Sequence, residues 1–152
     1  MNPSRSKFLI ALALAMLLPS ACGKQSEKPK KAVVGIVNVT PVLEDTVVGL
    51  KTGLAQWGYR ENDNIRYIYE GPLGSMDKVD GAVKRILAEK PDLIVSFTTP
   101  VTLKVKKVTQ GMDVPVLFAP SADPVGAGLV KSLKAPEGLF TGIYVEIGRA
   151  HV

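Results

Sequence analysis

Cysteine occurs once in the 152 residues, at Cys22, and histidine once, at His151. No intrachain disulfide is therefore available, and neither a zinc cluster nor a histidine-based triad has the side chains it needs. Aromatic residues are few, at 6% of the chain. Trp57, Tyr59, Tyr67 and Tyr69 read as core or surface rings rather than a ligand-stacking box. Phosphate-binding glycine patterns are missing as well. The turn after the first strand is Asn38-Val39-Thr40-Pro41 instead of Gly-x-Gly-x-x-Gly, and there is no P-loop and no nucleophile elbow. No cofactor and no metal are expected. Counting residues does not exclude serine or carboxylate chemistry, but no motif supports an enzyme.

The net charge of +5 belongs to the ends of the chain. Residues 32–146 hold 12 basic and 13 acidic side chains, a balance of −1 with no basic stripe. That excludes the electrostatic footprint of a nucleic-acid partner.

Residues 1–22 read as an export signal. Arg5 and Lys7 form a positive start, and Phe8 to Leu18 is an apolar run too short to span a bilayer comfortably. Leu18-Pro19-Ser20-Ala21-Cys22 follows, which resembles the lipobox of bacterial lipoproteins, with Pro19 where an aliphatic residue is usual. Cys22 would then carry the lipid and become the mature N-terminus; an ordinary signal peptide and an uncleaved anchor are the alternatives. Residues 23–31, GKQSEKPKK, lack any apolar anchor and read as a flexible tether. The last six residues, 147–152, match the translation of a common sequencing-library adapter and are read as a non-native tail.

The body, residues 32–146, alternates strand and helix. Ala32 to Asn38, Asp92 to Phe97 and Val114 to Ala119 are short apolar runs, as expected of strands covered on both faces. Asn64 to Glu70 is a strand nearer an edge, and Gly138 to Val145 a last one. Leu43, Val47, Leu50, Leu54 and Trp57 mark the inner stripe of a first helix. Met76, Val79, Val83, Ile86 and Leu87 mark a second, and Val101, Val105 and Val108 a third. Lys104, Lys106 and Lys107 read as a solvated face, and Val125 to Leu133 as a helical turn. The expected class is α/β, a parallel sheet with helices on both faces.

Such a sheet gathers the turns after its strands at one carboxyl edge, where open α/β sheets bind small molecules. The polar residues there are Asn38 and Thr40, Thr98 and Thr99, and Ser121 and Asp123. Hydroxyls and free N–H groups at helix starts suit a carboxylate or other anion. Each of these residues also has a purely structural reading. The threonines are N-caps, with Pro100 at the first helical position, and Asp before Pro is a turn element.

From Val33 to Val145 the chain resembles the substrate-binding proteins of ABC transporters, of the type that includes tryptophan- and tyrosine-binding lipoproteins. The resemblance rests on GLKTGLAQWGY (49–59), Ile65-Arg66-Tyr67, KPDLIVSFTTP (90–100), VPVLFAPSADPVGAGLVKSL (114–133) and LFTGI (139–143). It implies two Rossmann-like lobes of the type I periplasmic-binding-protein fold closing on a ligand, of which this chain supplies most of the first and stops before the second. It also implies a small amino-acid-like ligand, a permease with its ATPase as partners, and a lipid-anchored place in the cell envelope. An alternative use of the same lobe is an envelope sensor or interaction domain without transport.

Overall fold

The computed structural model describes residues 31–134 and 138–145. Cys22, the signal segment, the tether up to residue 30 and the tail at 147–152 lie outside the described residues. Five strands, β1 (Ala32–Val37), β2 (Ile65–Ile68), β3 (Leu93–Ser96), β4 (Val116–Ser121) and β5 (Phe140–Tyr144), form one sheet in the order β2-β1-β3-β4-β5. Every pairing is parallel. Three helices, α1 (Glu44–Gln56), α2 (Val79–Ala88) and α3 (Thr99–Val108), connect the first four strands. The described part of the fourth connection has turns in place of a helix, with Ala127 N–H donating to Asp123 O at 3.0 Å.

The central strands are continuous apolar runs because both of their faces are covered. On one face Val79, Val83 and Ile86 of α2 and Val101 and Val105 of α3 pack with Val37, Ile94 and Val116. On the other, Val47 of α1 packs with Val34, Ile36, Ile65, Val95 and Phe97. Burying each such aliphatic side chain stabilises the fold by about 1.5–3 kcal/mol. Gly35 lets α2 approach β1, since a Cβ there would lie 2.2 Å from Ile86 Cγ2.

Two expectations are corrected. Trp57 is 85% exposed, not part of the inner stripe of α1. It follows the last helical residue, with φ −87° and ψ 10°, so the 3.6-residue repeat no longer aims its side chain inward. The lysine group is not simply a solvated face. Lys104 Nζ bonds Asp80 Oδ1 of α2 at 3.0 Å, and Lys106 Nζ reaches the carbonyl of Gly128, which leaves Lys107 as the exposed member.

The strand order positions the site. After β1 the chain turns to the α1 face and runs outward to β2. After β3 it turns to the opposite face, through α3, and runs outward to β4. Neighbouring strands β1 and β3 therefore send their following loops apart, and a crevice opens between them at the carboxyl edge.

Candidate functional site

One wall of this crevice is the turn from β1 into α1. Asn38 is 1% exposed and its side chain is fully engaged. Its Oδ1 accepts from Thr40 N–H at 3.1 Å, and its Nδ2 donates to Glu44 Oε1 at 3.0 Å and to the Tyr69 hydroxyl at 3.3 Å. Tyr69 also donates to Glu44 Oε1. Burial first, and then that bond to Glu44, push the Tyr69 phenol up to about 12, so it stays a donor. Thr40 caps the short helical turn Pro41–Leu43, its hydroxyl accepting from Val42 N–H at 3.3 Å.

The other wall is the turn from β3 into α3. Phe97 N–H donates to Val37 O at 3.0 Å, so this turn runs beside Asn38. Thr98 holds φ 71° and ψ 147°, a region that residues with a Cβ rarely occupy. Thr98 makes no side-chain cap, contrary to its expected capping role; its φ of 71° lies outside the extended backbone that N-cap residues usually adopt. Thr99, the first helical residue, does not cap either. Its hydroxyl lies 2.8 Å from Ser121 Oγ at the end of β4. The N–H groups of Thr99 and Val101 have no acceptor among the described residues. Pro100 has no N–H to offer, so the first turn of α3 presents its positive end uncapped.

Beneath Thr98 lies a chain of hydroxyls. Ser96 Oγ is 2.9 Å from Thr102 Oγ1, and Thr102 Oγ1 donates to Thr98 O at 2.9 Å. Both Ser96 and Thr102 are fully buried. Thr102 N–H donates to the same carbonyl at 3.0 Å, so Thr102, backed by Ser96, holds the strained turn from below with two hydrogen bonds.

Asn38, Thr40, Thr98, Thr99 and Ser121 thus gather along one edge. Asp123 is engaged in its own loop: it is exposed, and its Oδ1 accepts from Gly126 N–H at 2.8 Å, closing the turn after β4. Glu44, Ser96 and Thr102 were not singled out from sequence, and Tyr69 was read there only as a core or surface ring. The one signal for Glu44 was an acidic residue in the first turn of α1, which most helices carry for capping reasons alone.

A parallel α/β sheet with polar loops parted at a switch point defines the class of small-ligand-binding lobes. The chain belongs to the ABC transporter substrate binding protein family, whose model matches residues 30–148. It is 30% identical over 121 residues to a tyrosine-binding protein of Clostridioides difficile, an alignment covering 78% of this chain and 34% of that protein. Among solved structures it is similar to an ABC domain from Streptococcus pneumoniae in complex with L-Trp. That match has 33% identity and a TM-score of 0.68, over 76% of this chain and 39% of the other. It is also similar to the ligand-free, open structure of CD0873, a substrate binding protein with adhesive properties from Clostridium difficile. There the identity is 28% and the TM-score 0.66, over 78% of this chain and 40% of the other. The chain therefore spans about two fifths or less of each of these relatives.

Proposed function

We propose that this chain forms the first lobe of an extracytoplasmic receptor that captures an amino-acid-like solute and hands it to an ABC permease without reacting with it. The observation that carries this reading is the uncapped start of α3 at the switch-point crevice, flanked by the Thr99 and Ser121 hydroxyls. Backbone N–H groups at a helix start bind a carboxylate with both geometry and charge in their favour. Thr98 supplies the backbone turn that aims them, and Asn38 and Thr40 shape the facing wall. Asp123 serves the loop rather than the solute.

The relatives that bind tyrosine and L-Trp support an aromatic amino acid as the solute. In this reading residues 1–22 are removed or anchored at export, Cys22 carries a lipid, residues 23–31 tether the lobe, residues 32–146 form it and residues 147–152 lie outside it. Membership of the family supports delivery to a permease and its ATPase. A second lobe, supplied by the remainder of a full-length receptor, would close over the ligand and exclude water.

Thermal unfolding of the product of the complete reading frame, titrated with the twenty amino acids, tests the proposal. A ligand present at a hundred times its Kd is expected to stabilise the protein by about 2.7 kcal/mol. An unchanged melting temperature across the panel would overturn it.

A further inference from the structure

We infer that Trp57 and its neighbours at the amino edge of the sheet form a seat for the surface of an anionic lipid bilayer, which holds the crevice toward the medium. This rests on the reading of Cys22 as a lipid anchor with residues 23–31 as its tether, and adds how the lobe stands on the membrane.

Trp57 is the most exposed of the large apolar side chains among the described residues, at 85%. Its backbone is closed onto the end of α1. Trp57 N–H donates to Gly53 O at 3.3 Å and to Leu54 O at 3.1 Å. Gly58 then turns the chain at φ 90°, and Tyr59 N–H returns to Leu54 O at 2.9 Å. Tyr59 is itself 43% exposed. An indole and a phenol, each an apolar body with a polar tip, are thus held out at one helix end. Such rings are enriched in the headgroup layer of bilayers, where the body is covered and the tip stays wet.

The pair stands where the chain enters the sheet. Gly58 O accepts from Asn64 Nδ2 at 2.9 Å, and Asn64 O accepts from Ala32 N–H at 2.8 Å. Lys31 Nζ reaches Asn62 O of the same loop at 3.4 Å. One residue, Asn64, therefore joins the Trp57 turn to the first residue of β1, and the tether leaves from this side of the lobe. In a parallel sheet the segments that precede the strands share one edge. The tether, the Trp57 loop before β2 and exposed Met112 before β4 all lie there. The crevice opens at the opposite edge.

The tether selects the occupant. Nine residues span at most about 30 Å, so a lipid on Cys22 keeps a bilayer within reach of this edge. A contact made under such confinement is intramolecular, and a weak one is enough to be populated. Residues 23–31 hold four lysines and one glutamate, a balance of +3 that suits an anionic surface. The loop itself adds no charge against it. Glu61 is paired with Lys51 at 3.4 Å, and Arg60 and Asp63 offset one another.

The experiment places the lipidated product of the complete reading frame in vesicles of phosphatidylglycerol and phosphatidylethanolamine. Brominated acyl chains in these lipids quench an indole that enters the bilayer surface. The Trp57 signal is the difference between the unaltered protein and Trp57→Phe, a substitution at an exposed position that leaves the core alone. It is expected to move to shorter wavelength and to lose most of its intensity on the brominated vesicles. Amino-acid binding by Trp57→Phe is expected to be unchanged, since the crevice is at the far edge. Equal Trp57 intensity on brominated and ordinary vesicles, in protein that sediments with both, would overturn the seat and leave the anchor and receptor readings intact. So would a Trp57 shielded from acrylamide equally in vesicles and in detergent, with paired copies seen in sedimentation, because a second copy would then be the occupant. Failure to sediment with vesicles would overturn the anchor reading and this inference together.

Discussion

Replacing Thr102 by valine removes one hydroxyl from the interior and keeps the branched shape of the side chain. A carbonyl can only accept, so the Thr102 hydrogen goes to Thr98 O, and Ser96 supplies the hydrogen between the two hydroxyls. Thr102→Val therefore strands the Ser96 donor at a site with 0% exposure and takes one of two hydrogen bonds from Thr98 O. The lost bond costs about 1 kcal/mol and the stranded donor about 1–2 kcal/mol more, so the variant should lose roughly 2–3 kcal/mol. Ser96→Ala leaves Thr102 donating to Thr98 and should cost about 1 kcal/mol. The double variant strands nothing. It should lose about 2 kcal/mol, less than the sum of the single losses by roughly 1–2 kcal/mol. Urea melts of the four proteins, followed by far-ultraviolet circular dichroism, close the cycle. Additivity within about 0.5 kcal/mol would refute the relay of hydroxyls under the Thr98 turn.

Two further outcomes follow from the same walls. Thr98→Gly removes a Cβ from a backbone held at φ 71° and loses no cap, so urea melts should show a gain of about 0.5–2 kcal/mol; destabilisation would mean the turn is not strained. Tyr69, pushed up to about 12, contributes stability in its protonated form, so that contribution is whole below about pH 10 and is lost as pH climbs toward 12. A near-ultraviolet absorbance titration, taken as the difference from Tyr69→Phe, should place its ionisation at the upper end of that window, and a step at the ordinary tyrosine value would contradict the burial and Glu44 bond that hold it.

Much of the fold was written in local pattern. The runs at Ala32–Val37 and Leu93–Ser96 are apolar because helices cover both faces of those strands, and the run from Val116 is apolar because α3 covers one face and the other is half-buried; such runs are readable without knowing their neighbours. The stripe of Val79, Val83 and Ile86 was readable for the same reason. Trp57 was misread because periodicity does not say where a helix stops, and α1 ends one residue before it. The site was half legible. Polar residues at strand ends were visible, but the partner that engages each one is set by contacts distant in sequence. Glu44 meets Tyr69 across 25 residues, and Thr99 meets Ser121 across 22. The same blindness credited Thr98 and Thr99 with caps they do not form, since a positive φ at threonine has no sequence signature.

The parting of the loops after β1 and β3 separates two evolutionary problems. Residues that keep the sheet folded lie in the strands and on the inner helix stripes, whereas those that face the crevice sit on turns anchored to opposite sides of it. Exchanging one turn changes one wall of the crevice and leaves the opposite wall, and the scaffold beneath both, in place. A descendant of this lobe can therefore change a single lip of the crevice while inheriting the sheet beneath it whole.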